Sequence, residues 1–232
     1  MIAAGLAVLL YFAPKTQSAE KDEAKKDTEF NSSFEEAIKK IPADQKDIFV
    51  RLKQELIKAQ AENNAPSWIT AAKDFLNEAR RVQDDQKAIL YTGTIIGFEK
   101  ALRFNPENLS AKTDLGAAIV ESSAILGNPP MRGITLLREV IMKDSNNIEA
   151  NLQLGLFSVN SRQFEKAIER FKRILRIDST HIDVFVYLGN TYLSVGDTPK
   201  AIECFENYKT RIKDTLEIKE IDTYIKKLKQ KQ

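Results

Sequence analysis

The strongest constraint on the fold is self-similarity at a fixed interval. Leu154-Gly155 and Leu188-Gly189 stand 34 residues apart, and so do Ala167 and Ala201, Ile168 and Ile202, and Phe171 and Phe205. A period of this length marks stacked units of supersecondary structure, each too small to bury its own apolar face. Each unit reads as a helix, a turn and a helix; in the last, Gly196-Asp197 supplies the turn and Pro199 opens the second helix. Gly155 and Gly189 are expected to let the paired helices approach closely. Ala167 and Ala201 leave room for the facing bulky side chain.

The rest of the chain is also helical in pattern, with apolar residues three and four apart and no period-two stretch long enough for a strand. Ser32 and Ser33 each precede a glutamate by three residues, which predicts a capped helix that Pro42 ends. A helix over about 44–62 places Ile48, Phe49, Leu52, Leu56 and Ile57 inward, and Asn63-Asn64 closes it. Another opens at Pro66 with Trp68, Ile69, Ala72, Phe75, Leu76 and Ala79 inward, and a fourth runs from after Asp85 to Phe104. Beyond Asp214, a helix with Ile218, Ile221, Tyr224, Ile225 and Leu228 on one face is suited to cover the apolar end of a stack.

These features resemble the tetratricopeptide repeat family: the 34-residue period, the Leu-Gly pair, Tyr192 three residues beyond Gly189, and the Ala and Phe of the second helix. The match is good over 148–181 and 182–211. It is weaker over 107–147, where Leu115-Gly116 is kept, Leu137 stands 34 before Phe171, Gly133 replaces the alanine and a longer first helix adds five residues. Residues 66–106 fit at Phe98, Ala101 and Pro106. Departures are Asn151 and Phe185 at a usual tryptophan position and Ser179 where proline often ends a unit. The resemblance implies an all-α solenoid of antiparallel helix pairs. Its parts are N-terminal helices over 34–65, two divergent units over 66–147, two clear units to 211 and a capping helix over 212–232.

Ahead of the helices, Met1 to Ala13 is an uncharged apolar run ending at Pro14, so 1–14 reads as a hydrophobic membrane anchor or signal segment. As a helix the run is roughly 20 Å long against a hydrocarbon core of about 30 Å. It lacks a basic leader and a small-residue cleavage site. One reading is the C-terminal part of an uncleaved anchor that starts upstream of Met1; the other is a removed signal peptide. Residues 15–33 carry mixed charge and little apolar bulk, which predicts a flexible charged linker.

Composition narrows the chemistry. One histidine and one cysteine exclude a disulfide framework and any multi-His or multi-Cys metal site, and a net charge of +2 gives no field to draw in nucleic acid. His181 has no second ligand or nucleophile at helical spacing and reads as a polar or capping residue. Cys204 reads as packed rather than reactive. Gly93 and Gly97 suggest close helix contact within a soluble array, since Glu99, Lys100 and Arg103 follow. Gly127 and Gly133 do not have phosphate-loop spacing and no Gly-Lys-Ser/Thr follows. No catalytic residue, cofactor site or metal site is expected.

Function is therefore expected to be binding, without enzyme activity. The resemblance implies a concave groove lined by first helices: Thr113, Ala117 and Val120; Leu152, Leu156, Val159 and Asn160; Val186, Asn190, Leu193 and Ser194. Such a trough suits an extended segment or helix of a protein partner, with Asn190 able to hydrogen-bond its backbone. The opposing reading packs several of these residues under the N-terminal helices. The carboxylate clamp of chaperone-tail binders is absent, because Thr113, Ala117, Gln153, Asp183 and Tyr187 hold its places. The layout resembles bacterial envelope assembly factors of this family, including the periplasmic repeat domains of cytochrome-c maturation. It implies a membrane-tethered scaffold with a periplasmic array. A cytoplasmic adaptor without an anchor is one alternative; weak binding of nucleic acid or anionic lipid through Lys226-Lys227-Leu228-Lys229-Gln230-Lys231 is another.

Overall fold

A computed structural model describes residues 17–42, 46–82 and 86–230. Among the described residues every regular element is a helix: α1 Gln17–Lys40, α2 Lys46–Glu62, α3 Ala65–Arg81, α4 Lys87–Phe104, α5 Leu109–Leu126, α6 Met131–Lys143, α7 Ile148–Asn160, α8 Phe164–Ile177, α9 Asp183–Ser194, α10 Thr198–Lys209 and α11 Thr215–Lys229. The apolar run over 1–14 lies outside the described residues, and no helix among them is long and apolar enough to cross a membrane. The chain divides into two compact units, one up to Gly133 and one from Ile134.

In the first unit α3 packs against α2, α4 and α5, and α1 against α2 and α4. Four rings hold it together. Phe34 of α1 lies 5.2 Å from Phe75 of α3 and 5.9 Å from Phe49 of α2, and Phe30 lies 6.1 Å from Phe75. All four are buried, and burying each stabilises the fold by about 1.5–3 kcal/mol.

This cluster overturns the flexible linker expected over 15–33. From Gln17 onward the segment is helical and continuous with the stretch that follows, so Ser32 and Ser33 lie inside α1 and cap nothing. Low apolar content argues for disorder only when no face can dock. Here Ala, Glu and Lys supply helix propensity, Phe30 supplies the dock, and Asp27 pairs with Lys100 of α4 at 2.5 Å. The Lys100 ammonium also sits over the Trp68 ring, 5.0 Å from its centre. A smaller correction concerns α2: Ala59 is buried in the face that was to include Ile57, and Ile57 is 53% exposed.

Gly93 and Gly97 are where α4 meets its neighbours. A Cβ at Gly93 would come within 2.5 Å of the Phe75 ring, and one at Gly97 within 2.8 Å of the Ala72 methyl. The close helix contact expected of this pair is present, with α3 as the partner.

In the second unit the helices pack in sequence, α7 on α8, α8 on α9, α9 on α10 and α10 on α11. The repeat residues make the same joint twice. A Cβ at Gly155 would lie 2.6 Å from the Phe171 ring, and one at Gly189 would lie 2.8 Å from the Phe205 ring. Each glycine thus receives the phenylalanine of the following helix, while Ala167 and Ala201 are fully buried beside them. Between pairs, Phe171 stacks on Tyr187 at 5.8 Å, and Phe205 meets Tyr224 of α11 edge-on at 5.3 Å.

Asn151, at a position where a tryptophan was the usual expectation, is buried. Its amide donates to the Ser145 and Asn147 carbonyls at 3.0 and 2.8 Å, so it fastens the loop that leads into α7. Phe185, the other departure, lies under the Arg211 guanidinium at 4.8 Å.

Candidate functional site

The residues expected to line a groove fall into two sets. In the second unit they form two stripes at repeat-equivalent positions, Leu152, Leu156, Val159 and Asn160 on α7 and Val186, Asn190, Leu193 and Ser194 on α9. Spacings of four, three and one put each set on one side of its helix. Leu152, Leu156, Val159, Val186 and Leu193 are partly buried and pack against a single core cluster that includes Phe171, Leu188 and Phe205. Asn160, Asn190 and Ser194 are exposed. Ser194 donates its hydroxyl to the Asn190 backbone carbonyl at 3.0 Å. The surface is half apolar and edged by amides, the chemistry that takes an extended backbone or an amphipathic helix.

The first-unit set is placed differently. Thr113 is 3% exposed and Ala117 fully buried, with only Val120 half-buried. Helix α3 lies along this stretch of α5. Lys73 approaches Asp114 at 3.8 Å, and Arg80 grips Glu121 through two contacts of 3.0 and 2.7 Å, so the two pairs bracket Ala117. Tyr91 of α4 donates to the same Glu121 at 3.1 Å. Burial, reinforced by that carboxylate, pushes the Tyr91 hydroxyl up to about 12. Thr113 donates to the Leu109 carbonyl at 2.8 Å. These two residues are covered from within the divergent repeats, with α3 alongside, and the accessible stripes belong to the second unit.

The remaining singled-out residues are structural in their surroundings. His181 is exposed in the α8–α9 loop with Nε2 3.4 Å from the Asp178 carboxylate. Hydrogen bonds from the Thr180 hydroxyl and backbone hold that carboxyl below the usual range. Cys204 is buried, and burial pushes its thiol up to about 11, so it stays protonated at neutral pH. No group of three His, Cys, Asp or Glu that could hold a metal occurs among the described residues. At the positions of the absent clamp, Gln153 is buried beside Glu149, Asp183 is exposed and Tyr187 is taken up by Phe171. Of the basic end, Lys229 contacts Glu206 at 3.4 Å.

One local signal went unread in the sequence. Asn64, Asn108 and Asn147 cap α3, α5 and α7, each side chain accepting the amide of the residue three ahead at 2.9–3.0 Å. The Asn-x-x-Ala spacing at 108–111 and 147–150 marks the starts of both first helices.

No family model and no curated protein matches the chain. Solved structures do. MamA from Desulfovibrio magneticus RS-1 is 18% identical and superposes with a TM-score of 0.57 over 80% of this chain and 94% of that one. Another crystal structure of MamA, also 18% identical, superposes with a TM-score of 0.55 over 69% of this chain and 85% of that one. At such identity the likeness is one of fold, an all-helical fold of tetratricopeptide type.

Proposed function

We propose that this chain is a non-enzymatic scaffold that captures a segment of a protein partner along α7 and α9. The observation that carries the reading is the pair of repeat-equivalent stripes. They leave Leu152, Leu156, Val159, Val186 and Leu193 only partly covered by their own fold and set the free edges of Asn160 and Asn190 beside them. An apolar floor supplies area and the amides supply direction, so a bound segment is fixed in register without any charged clamp. The buried thiol of Cys204 and the exposed, singly paired His181 offer no activated nucleophile or base.

The apolar run at the start is the membrane tether in this reading, with the repeats on the periplasmic side and the partner a component of an envelope assembly. Tethering raises the effective concentration of the groove for a partner confined to the same surface, so modest affinity is sufficient.

Photo-crosslinking in intact cells tests both parts. A photoreactive residue at Asn160 or at Asn190 is expected to trap the same protein, recovered with the membrane fraction, while one at the exposed Glu203 of α10 traps none. Equal trapping from Glu203 rejects the groove. Trapping unchanged in a chain whose apolar run is replaced by a polar one rejects the tether.

A further inference from the structure

A second concavity lies between residues of α6, α7 and α8, a cavity of about 230 Å³ lined by Arg138, Lys166 and Arg170. Leu154 and Phe157 form its apolar wall, and no carboxylate lines it. Three acids adjoin these cations in sequence, Glu139, Glu165 and Glu169, and none lines the cavity; Glu169 is exposed and faces Arg173 at 3.8 Å. Neither Arg138 nor Arg170 has a carboxylate partner among the described residues, and Lys166 is held only by the Gln163 side-chain oxygen at 2.8 Å. The Ser158 hydroxyl is spent on the Leu154 carbonyl at 2.7 Å, so the free donors here are the cationic heads.

Three cationic side chains thus share one cavity beside an apolar wall, Arg170 half-buried and Arg138 and Lys166 exposed, with no carboxylate in the lining. Burial lowers the Arg170 guanidinium from its ordinary value; Glu169 opposes the shift, and Arg138 and Arg173 add to it. An anion in the cavity would offset the repulsion among the guanidinium groups. The cavity is smaller than the roughly 300 Å³ at which sites begin to enclose whole organic ligands, so it suits a compact group. Guanidinium forks match tetrahedral oxyanions in pairs of hydrogen bonds, and a dianion offsets more of a triple charge than a carboxylate does.

We propose that this cavity binds a phosphate-class dianion, either inorganic phosphate or a phosphomonoester, between Arg138 and Arg170 with Lys166 as the third donor. It shares no residue with the stripes on α7 and α9, so it stands or falls apart from the partner groove.

Calorimetric titration of the purified full chain at constant ionic strength decides it, with inorganic phosphate, phosphoserine and acetate as probes. Wild type is expected to bind phosphate saturably, with binding weaker by about tenfold or more in Arg170→Gln and in Arg138→Gln, and acetate weaker by a similar factor. Phosphate should also raise the thermal midpoint of wild type but not of Arg170→Gln, and in chloride Arg170→Gln should be no less stable than wild type, since it relieves repulsion. Phosphoserine binding as well as phosphate assigns the site to phosphomonoesters; phosphate binding alone assigns it to the free ion. Equal phosphate binding by wild type and both variants, the absence of saturable binding, or equal affinity for acetate overturns the proposal. Lys200→Gln, on α10 and outside the cavity, serves as the charge control.

Discussion

Arg162 and Gly196 stand 34 residues apart, and both follow the first helix of their unit with left-handed backbone, φ 57° and 80°. The turn is the same: Gln163 and Asp197, the next residues, reach back to the Ser158 and Tyr192 carbonyls at 2.8 and 2.9 Å. Glycine takes this conformation freely, whereas a side chain with a Cβ is strained in it by roughly 1 kcal/mol. Arg162→Gly should therefore stabilise the chain by about 0.5–1 kcal/mol, measured by urea denaturation. Gly196→Arg should cost a similar amount or more. The two glycines inside the repeat behave oppositely, because space rather than φ dictates them. Alanine at Gly155 or Gly189 drives a methyl into a phenylalanine ring at 2.6 or 2.8 Å, an overpacking expected to cost about 1–3 kcal/mol. Trimming the opposing ring in Gly189→Ala/Phe205→Leu should recover part of that loss; a strictly additive double mutant would refute the ring contact as its cause.

At the scale of the element, α11 is held to α10 by charge as well as by rings. Lys209 contacts Glu206 at 2.6 Å and Asp222 at 2.8 Å, and Tyr208 donates to Glu217. Hydrogen bonds from Lys209 hold the Glu206 and Asp222 carboxyls below their ordinary range, and the same bonds raise Lys209. The carboxylate contribution is then fully present above the ordinary carboxyl values of about 4 and is lost as pH falls through the lower folded values. The lysine contribution is present below about 10.4 and fades only as pH rises beyond it. Protection of the α11 amides, taken relative to intrinsic exchange at each pH, should accordingly be level between about pH 5 and 10 and fall below about pH 4, and Lys209→Met should shrink that acid-side loss. The acid response survives unaltered in Lys209→Met if these contacts do not matter. Helices of this kind were legible because their apolar residues mark a face, as with Ile221, Ile225 and Leu228 on α11. Helix α1 was not, because its docking face over 17–33 rests on Phe30 and one ion pair, Asp27–Lys100, whose partner lies 73 residues away. The candidate site divides likewise. The stripes on α7 and α9 are what the resemblance to the repeat family implies, whereas the burial of Thr113 and Ala117 depends on α3 lying beside α5, which no local pattern encodes. Arg138, Lys166 and Arg170 share no local pattern either, because only the fold brings α6 and α8 to one cavity.

For the whole molecule, two compact units mean that a core lesson learned in one need not transfer to the other. The first unit is centred on the rings of Phe30, Phe34, Phe49 and Phe75, with Gly93 on α4 receiving the Phe75 ring from α3. The second repeats one glycine–phenylalanine joint from pair to pair. In a chain built from such pairs, stability is close to a sum of local terms and nearest-neighbour interfaces, so damage spreads only as far as the next interface. Phe34 touches Phe30 of its own helix and rings of two others, and it is 1% exposed. Phe34→Ala should cost about 3–5 kcal/mol in the first unit. By hydrogen exchange with peptide-level resolution, α1 to α4 should lose protection while α9 to α11 keep theirs, since opening need not be global. The reciprocal lesion, Phe205→Ala, should expose α9 to α11 and spare α1 to α4. A chain that instead loses protection everywhere with either substitution unfolds as a single cooperative body, and the local character expected from the repeat would then be wrong for this protein.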